Sequence, residues 1–252
     1  MLKTTEEINN FINFHKNFID MNLEKAASSD ERLKSRWLWG FGTNSKSAAV
    51  GYLTLDDRDS AMEWFNKSAE FYLKCLDSYE ETGQYFGLST SFTETAALQV
   101  MKSCVLSGNK INIIKISEYI VKNNPEISLG SDLIYNYVLA LSEVIASDKN
   151  LNETAFERIK KLTVSEEKNS KNTDGYYAGT ATALAGIVEN NKNKIFEGLN
   201  KVLMSFGKSQ KDRNVPDDFP FCIDAIMLLL IAEYKGIEIE SKNIDKDYLN
   251  HI

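Results

Sequence analysis

The chain is short of breakers. It has 3 prolines and 13 glycines in 252 residues, and folds built from many short strands need turn residues more often than that. Long helices joined by short polar turns fit the scarcity. Histidine is rarer still, at two residues, and the 3 cysteines, Cys75, Cys104 and Cys222, have no close spacing. A zinc site needs three or four converging Cys, His or acid ligands, so no metal is expected. An odd number of cysteines, each in an apolar helical setting, reads as small buried side chains in a reducing cytoplasm. His15 flanks an apolar stripe. His251 is the penultimate residue, a frayed place to keep a catalytic base. There is no G-x-S-x-G elbow and no Walker loop, and the pair Gly40 and Gly42 lacks the strand before it and the lysine after it that phosphate loops use. No cofactor is expected. The longest nearly uninterrupted apolar run, Ala225–Ala232, falls far short of the roughly 20 residues a membrane span needs. The opening MLKTTEEINNF has no apolar leader region.

Excess positive charge is also missing. The formal net charge is -7, whereas nucleic-acid and anionic-membrane binders carry a basic footprint. Two blocks hold the acid excess, residues 56–94 and 216–252, while residues 148–215 are slightly basic. Each block is either a solvated helix face or part of a surface that attracts a basic partner.

What is present is helical periodicity. Ile8, Phe11, Ile12, Phe18 and Ile19 recur at three- and four-residue steps over 5–21. Asp30–Phe41 reads as a second helix, broken by Gly40 and Gly42, with a short helix over 44–55 after it. Asp57–Tyr79 is long and amphipathic, with Ala61, Phe65, Ala69, Tyr72 and Leu76 on one face. Further helices are expected over 92–106, 110–122, 131–146, 152–162, 174–189 and 192–206, with Gly179, Ala183 and Gly186 on a close-packing face. The polar stretches 163–173 and 207–215 read as exposed loops. The Ala225–Ala232 run is apolar nearly all round and predicts a buried C-terminal helix, with Asp217 and Asp218 as first-turn or capping residues and Gly236 at its C′ position.

Short polar junctions recur between these helices, as at 55–61, 106–112, 146–152 and 189–195. The expectation is a single all-α domain over 1–252. About ten helices would form antiparallel hairpins, packed as a repeat-like, superhelical bundle around the apolar C-terminal helix.

Two blocks carry a family resemblance. One is YLTLDDRDSAMEWFNKSAEFYLKCL at 52–76, a short helix, an acidic turn and a helix with Ala61, Trp64 and Ala69. The other is FPFCIDAIMLLLIAEYKGIEIESKNIDKDYL at 219–249, an apolar helix closed by Lys235-Gly236, a short extended piece and a Tyr-Leu pair. In layout the chain resembles the all-helical immunity proteins of bacterial polymorphic toxin systems. The resemblance implies a protein that binds a cognate toxin domain in the producer's cytoplasm, as monomer or homodimer, and blocks it by occlusion without catalysis. An acidic inhibitor suits a basic toxin such as a nuclease. The candidate partner-binding residues are Asp56, Asp57, Asp59 and Glu63 from the first acidic block and Asp217 and Asp218 from the second. Arg36 and Trp39 join them, because tryptophan and arginine are common interface anchors, although the favoured reading has Trp37 or Trp39 anchoring the core, with Arg36 stacked on it or paired with an acid. Two other readings stay open. One is a helical-repeat adaptor for another protein or peptide. The other is an enzyme with carboxylates in a helical cavity, which requires a deep pocket and several perturbed acids.

Overall fold

A computed structural model of the protein describes residues 4–128, 132–147, 152–173, 175–212 and 222–239, without the side chains of 152, 169–173 and 209–212. The described residues form ten helices and no strand, beyond two isolated bridges. The helices are α1 (Thr5–Ala27), α2 (Glu31–Thr54), α3 (Arg58–Thr82), α4 (Glu94–Leu106), α5 (Lys110–Asn123), α6 (Asp132–Ala146), α7 (Asn152–Thr173), α8 (Tyr176–Val188), α9 (Lys192–Asp212) and α10 (Ile223–Tyr234). The all-α expectation is met. Each helix from α1 to α9 packs on the next, and α4 with α6 and α6 with α8 pack one place further on, an order consistent with a repeat-like layout.

The polar junctions work as caps. Thr4 and Glu7 form a reciprocal capping box at the start of α1, with bonds of 3.0 and 3.1 Å. Asp30 accepts from the Leu33 amide at 2.8 Å, Asp57 from Ser60 at 3.1 Å, and Asn109 from Ile111 at 3.1 Å. Each of these bonds satisfies an amide that the first helical turn leaves without a partner.

Three boundaries differ from the sequence expectation. α2 runs unbroken through Gly40 and Gly42. Gly42 is there for packing: a Cβ at this position would lie 2.7 Å from the Tyr72 ring, and Ser68 Oγ donates to the Gly42 carbonyl at 2.7 Å. α7 continues through the polar stretch 163–173, and α9 continues through 207–212; residues 213–215 lie outside the described residues. Lysine, glutamate and glutamine are good helix formers, so polarity alone does not end a helix. The close-packing glycines are confirmed. Cβ atoms on Gly179 and Gly186 would sit 2.9 and 2.7 Å from the backbone of α9, and one on Gly198 would sit 2.3 Å from the Ala183 amide.

α10 is nearly enclosed. Ala225, Ile226, Met227, Leu228, Leu229, Ile231 and Ala232 are all buried, and full burial of one large aliphatic side chain contributes about 1.5–3 kcal/mol. It packs on α4, α8 and α9. Gly236, with φ of +78°, follows the Lys235 cap as expected. The Lys235 ammonium donates to the carbonyls of Ile145 at 2.8 Å and Ser147 at 2.7 Å, which satisfies the C-terminal end of α6. At its start α10 has Cys222 at the N-cap and Asp224 as its first-turn acid. The expected roles of Asp217 and Asp218 fall outside the described residues.

Candidate functional site

The chain order puts Asp56, Asp57, Asp59 and Glu63 together at the corner between α2 and α3. All four are exposed. Asp57 is held as the α3 N-cap, Asp56 lies 3.6 Å from Arg58, and Glu63 lies 2.7 Å from Lys67. The hydrogen bond and charge of Lys67 hold the Glu63 carboxyl below its ordinary value. Arg58 and Lys67 are the only basic residues between 56 and 67, and Lys16 of α1 also reaches the corner, 5.3 Å from the Trp64 ring, so the four acids keep one negative charge in excess.

Beside these acids is an apolar cavity of about 100 Å³, lined by Leu53, Met62, Phe65, Leu106, Ile226 and Leu230, with Arg58 on its wall. Met62 is 48% exposed and Ile111, at the start of α5, is 77% exposed. Asn109 and Asn112 of the α5 start both donate to Asn66 Oδ1, at 3.1 and 3.3 Å, which ties that end of α5 to α3. The corner therefore combines acids with accessible apolar side chains.

Arg36 and Trp39 are not part of it. They lie in the first half of α2, about 27 and 22 Å along the axis from its end. Arg36 is exposed. Trp39 is half-buried, with its ring 4.8 Å from Tyr72 and 5.6 Å from Phe86, and it covers the backbone of Gly87 closely enough that a Cβ there would meet it at 2.8 Å. That is the core position the sequence allowed. Glu94, counted in the first acidic block, is fully buried and accepts from the Ser128 amide at 2.8 Å and its hydroxyl at 3.1 Å. Asp217 and Asp218 lie outside the described residues.

The sequence reading missed a second constellation. Asp224 of α10, counted there as one more acid of the C-terminal block, is turned inward onto Lys102 of α4, Tyr137 of α6 and Tyr176 of α8. Its Oδ1 accepts from Lys102 Nζ at 2.8 Å and from Tyr137 OH at 3.1 Å. Its Oδ2 accepts from Lys102 Nζ at 3.0 Å and from Tyr176 OH at 2.6 Å. The side chains of Lys102 and Asp224 are 19% and 15% exposed. Burial would push the Asp224 carboxyl up, but the Lys102 ammonium and the three donors hold it below the usual carboxylate value. Burial, followed by the Asp224 charge, pushes the Tyr137 and Tyr176 hydroxyls well above theirs. The first turn of α10 also favours a negative charge at this place.

Lys46 of α2 donates to Gln99 Oε1 of α4, one turn before Lys102 on the same helix. Its pKa falls to about 8, chiefly through burial and then through repulsion from Lys102. One sequence signal was available. Asp224 sits within Cys222-Ile223-Asp224-Ala225-Ile226, and a lone charge among apolar residues on a buried helix must have an internal partner.

A general base needs a free lone pair and a pKa near the working pH. Asp224 has neither, so its chemistry is that of a lock that fixes α10 to three other helices. The three thiols are all buried; burial pushes those of Cys75 and Cys222 up to about 12 and that of Cys104 higher still. His15 Nδ1 lies 2.7 Å from Asn44 Oδ1, and its ring meets Phe11 edge-on at 4.4 Å. A wider groove of about 490 Å³ between α6 and α7 has Lys160, Lys161 and Lys168 facing Asp132 and Glu157. Among the described residues, no group of three or more His, Cys, Asp or Glu side chains could hold a metal, and no helix is long and apolar enough to cross a membrane.

Compared with models of known protein families, with curated proteins and with solved structures, the chain matches none. The likeness to the immunity proteins therefore rests on the two sequence blocks quoted above.

Proposed function

We propose that the protein binds a basic protein partner through the α2–α3 corner and neutralises it by occlusion, in the manner of an immunity protein against a toxin domain. The observation that carries this reading is the grouping of Asp56, Asp57, Asp59 and Glu63, all exposed, beside an apolar cavity lined in part by the half-exposed Met62, with Ile111 exposed at the α5 start that follows Gly108 of the same cavity. Interfaces combine a few buried apolar anchors with a polar rim. Acids placed around such an anchor site speed encounter with a positively charged surface and reject acidic ones. Met62 suits a contact that must adapt, since methionine repacks at little cost. The partner's own activity, a nuclease or another, does not enter this recognition.

The test has two stages. A tagged copy is recovered from the producing organism and its stoichiometric companions are identified. Association with the recovered partner is then timed for the wild type and for Asp56→Lys/Asp59→Lys/Glu63→Lys. The reading expects one basic companion that survives moderate salt and binds the triple variant at least tenfold more slowly at low salt. Many weak companions in place of one tight one mark an adaptor. An unchanged association rate removes this corner from the interface.

A further inference from the structure

The junction of α2, α4, α6, α8 and α10 holds more positive charge than it can match from within. Two ammonium groups, Lys46 and Lys102, face one carboxylate, Asp224. A carboxylate has about four lone-pair sites. Those of Asp224 are taken by the two bonds from Lys102 and by those from Tyr137 and Tyr176. Lys46 therefore has no acceptor left on Asp224. Its hydrogen bond goes to Gln99 Oε1, a neutral amide oxygen. An ammonium has three donors, so two on Lys46 and one on Lys102 have no acceptor among the described residues. The site is half-enclosed and still open to water, since Lys102 and Asp224 keep 19% and 15% of their side-chain surface.

A charge left unbalanced in such a place is costly. Water reaching the site solvates that charge only in part, and two further responses are open: Lys46 sheds its proton, or an anion fills the gap. Three unmatched donors on two adjacent cations suit a small oxyanion, which accepts several hydrogen bonds at once. From this arrangement we infer that Lys46, Lys102 and the Gln99 amide form a binding site for a small oxyanion, a carboxylate or a phosphate, at the five-helix junction. The site is separate from the acidic corner and does not depend on the function proposed above. The titratable groups facing it are Lys46 on α2, Lys102 on α4, Tyr137 on α6, Tyr176 and Tyr177 on α8, and Cys222 and Asp224 on α10. Burial raises Tyr177 and Cys222 to about 12 and pushes Tyr137 and Tyr176 well above the ordinary tyrosine value, and Asp224 is held low. Lys46 is thus the group that changes charge near neutrality.

Acetate and, separately, inorganic phosphate are titrated into the full chain at constant ionic strength made up with chloride. Thermal midpoint and NMR shifts are followed. A saturable rise in the midpoint at pH 7, lost in Lys46→Met, is the expected result, and the stronger of the two anions shows which chemistry the site prefers. Acetate keeps its charge from pH 7 to pH 9, so its affinity should fall about tenfold over that range as Lys46 loses its proton. This second arm uses only the wild type and stands even where Lys46→Met folds poorly. Equal stabilisation by chloride, an unchanged response in Lys46→Met, or an acetate affinity flat from pH 7 to pH 9 would each overturn the site.

Discussion

Asp56, Asp57, Asp59 and Glu63 stand in water at the α2–α3 corner, while Asp224 of α10 is enclosed by side chains of α4, α6 and α8. The sequence has them as the same kind of residue in two acidic blocks. The structure separates them by what surrounds them. At the corner each charge is solvated, and its nearest cation is a surface neighbour such as Lys67 or Arg58. Pairs of that kind contribute about 0–1 kcal/mol. At the junction the carboxylate has lost most of its water and receives four hydrogen bonds instead. Apart from the Asp57 cap, the corner adds little to stability, so its other acids can change without loss of the fold. The junction holds the fold and leaves one lysine unmatched.

The largest effect expected is from breaking the junction. Asp224→Ala removes the acceptor of three helices and leaves Lys102 without its counter-charge, a change that costs about 3–5 kcal/mol. Urea unfolding measures it, and Asp224→Ala combined with Lys102→Met should recover part of the loss. A double variant no better than the single one would show that the ion pair is not what Asp224 supplies.

Lys46→Met should act in the opposite direction. In the folded protein Lys46 titrates at about 8, against 10.5 for an ordinary lysine. Below pH 8 both folded and unfolded chains carry the proton, and the folded chain bears the full cost of enclosing it. Between pH 8 and 10.5 the unfolded chain binds more protons, so wild-type stability gains from this group as pH rises. Lys46→Met lacks that burden and should be more stable at pH 7, on the order of 2 kcal/mol. The difference should vanish by pH 10.5. Tyr137 and Tyr176 lose stability at high pH in both proteins and cancel from the comparison. Denaturant midpoints across pH 7–10.5 decide the matter, and a constant gap would refute the assignment.

The smallest effect on stability belongs to the corner. Asp56→Lys/Asp59→Lys/Glu63→Lys changes surface charges and should alter stability by about 0.5 kcal/mol or less, while slowing association with a basic partner. Asp57 is left out because it caps α3, and its replacement by Ala should cost about 1 kcal/mol. A triple variant that unfolds easily would mean that the two regions are less different than their solvation suggests.

Much of the fold was legible in the sequence because helices announce themselves by period. Ala61, Phe65, Ala69, Tyr72 and Leu76 were placed on one face of α3, and all are buried. Gly40 and Gly42 misled because glycine serves both to end a helix and to let another helix come close, and only the position of Tyr72 tells which. The polar stretch 163–173 misled because surface polarity does not mark an end without a cap or a proline. Among the candidate site residues, the corner acids were legible because they are neighbours in the chain. Asp224 and Lys102 are 122 residues apart, and no local pattern joins them. Glu94 was misjudged for the same reason: Ser128, 34 residues on, takes it out of the surface.

The span between Lys102 and Asp224 also sets a timetable. A ribosome adds about 5–20 residues per second, so the 122 residues between the two partners take about 6–25 s to make. Through that interval α1 to α4 can already have assembled, with the α4 face that receives α10 bare and Lys102 without its carboxylate. α10 arrives late and finishes an interior begun many seconds earlier.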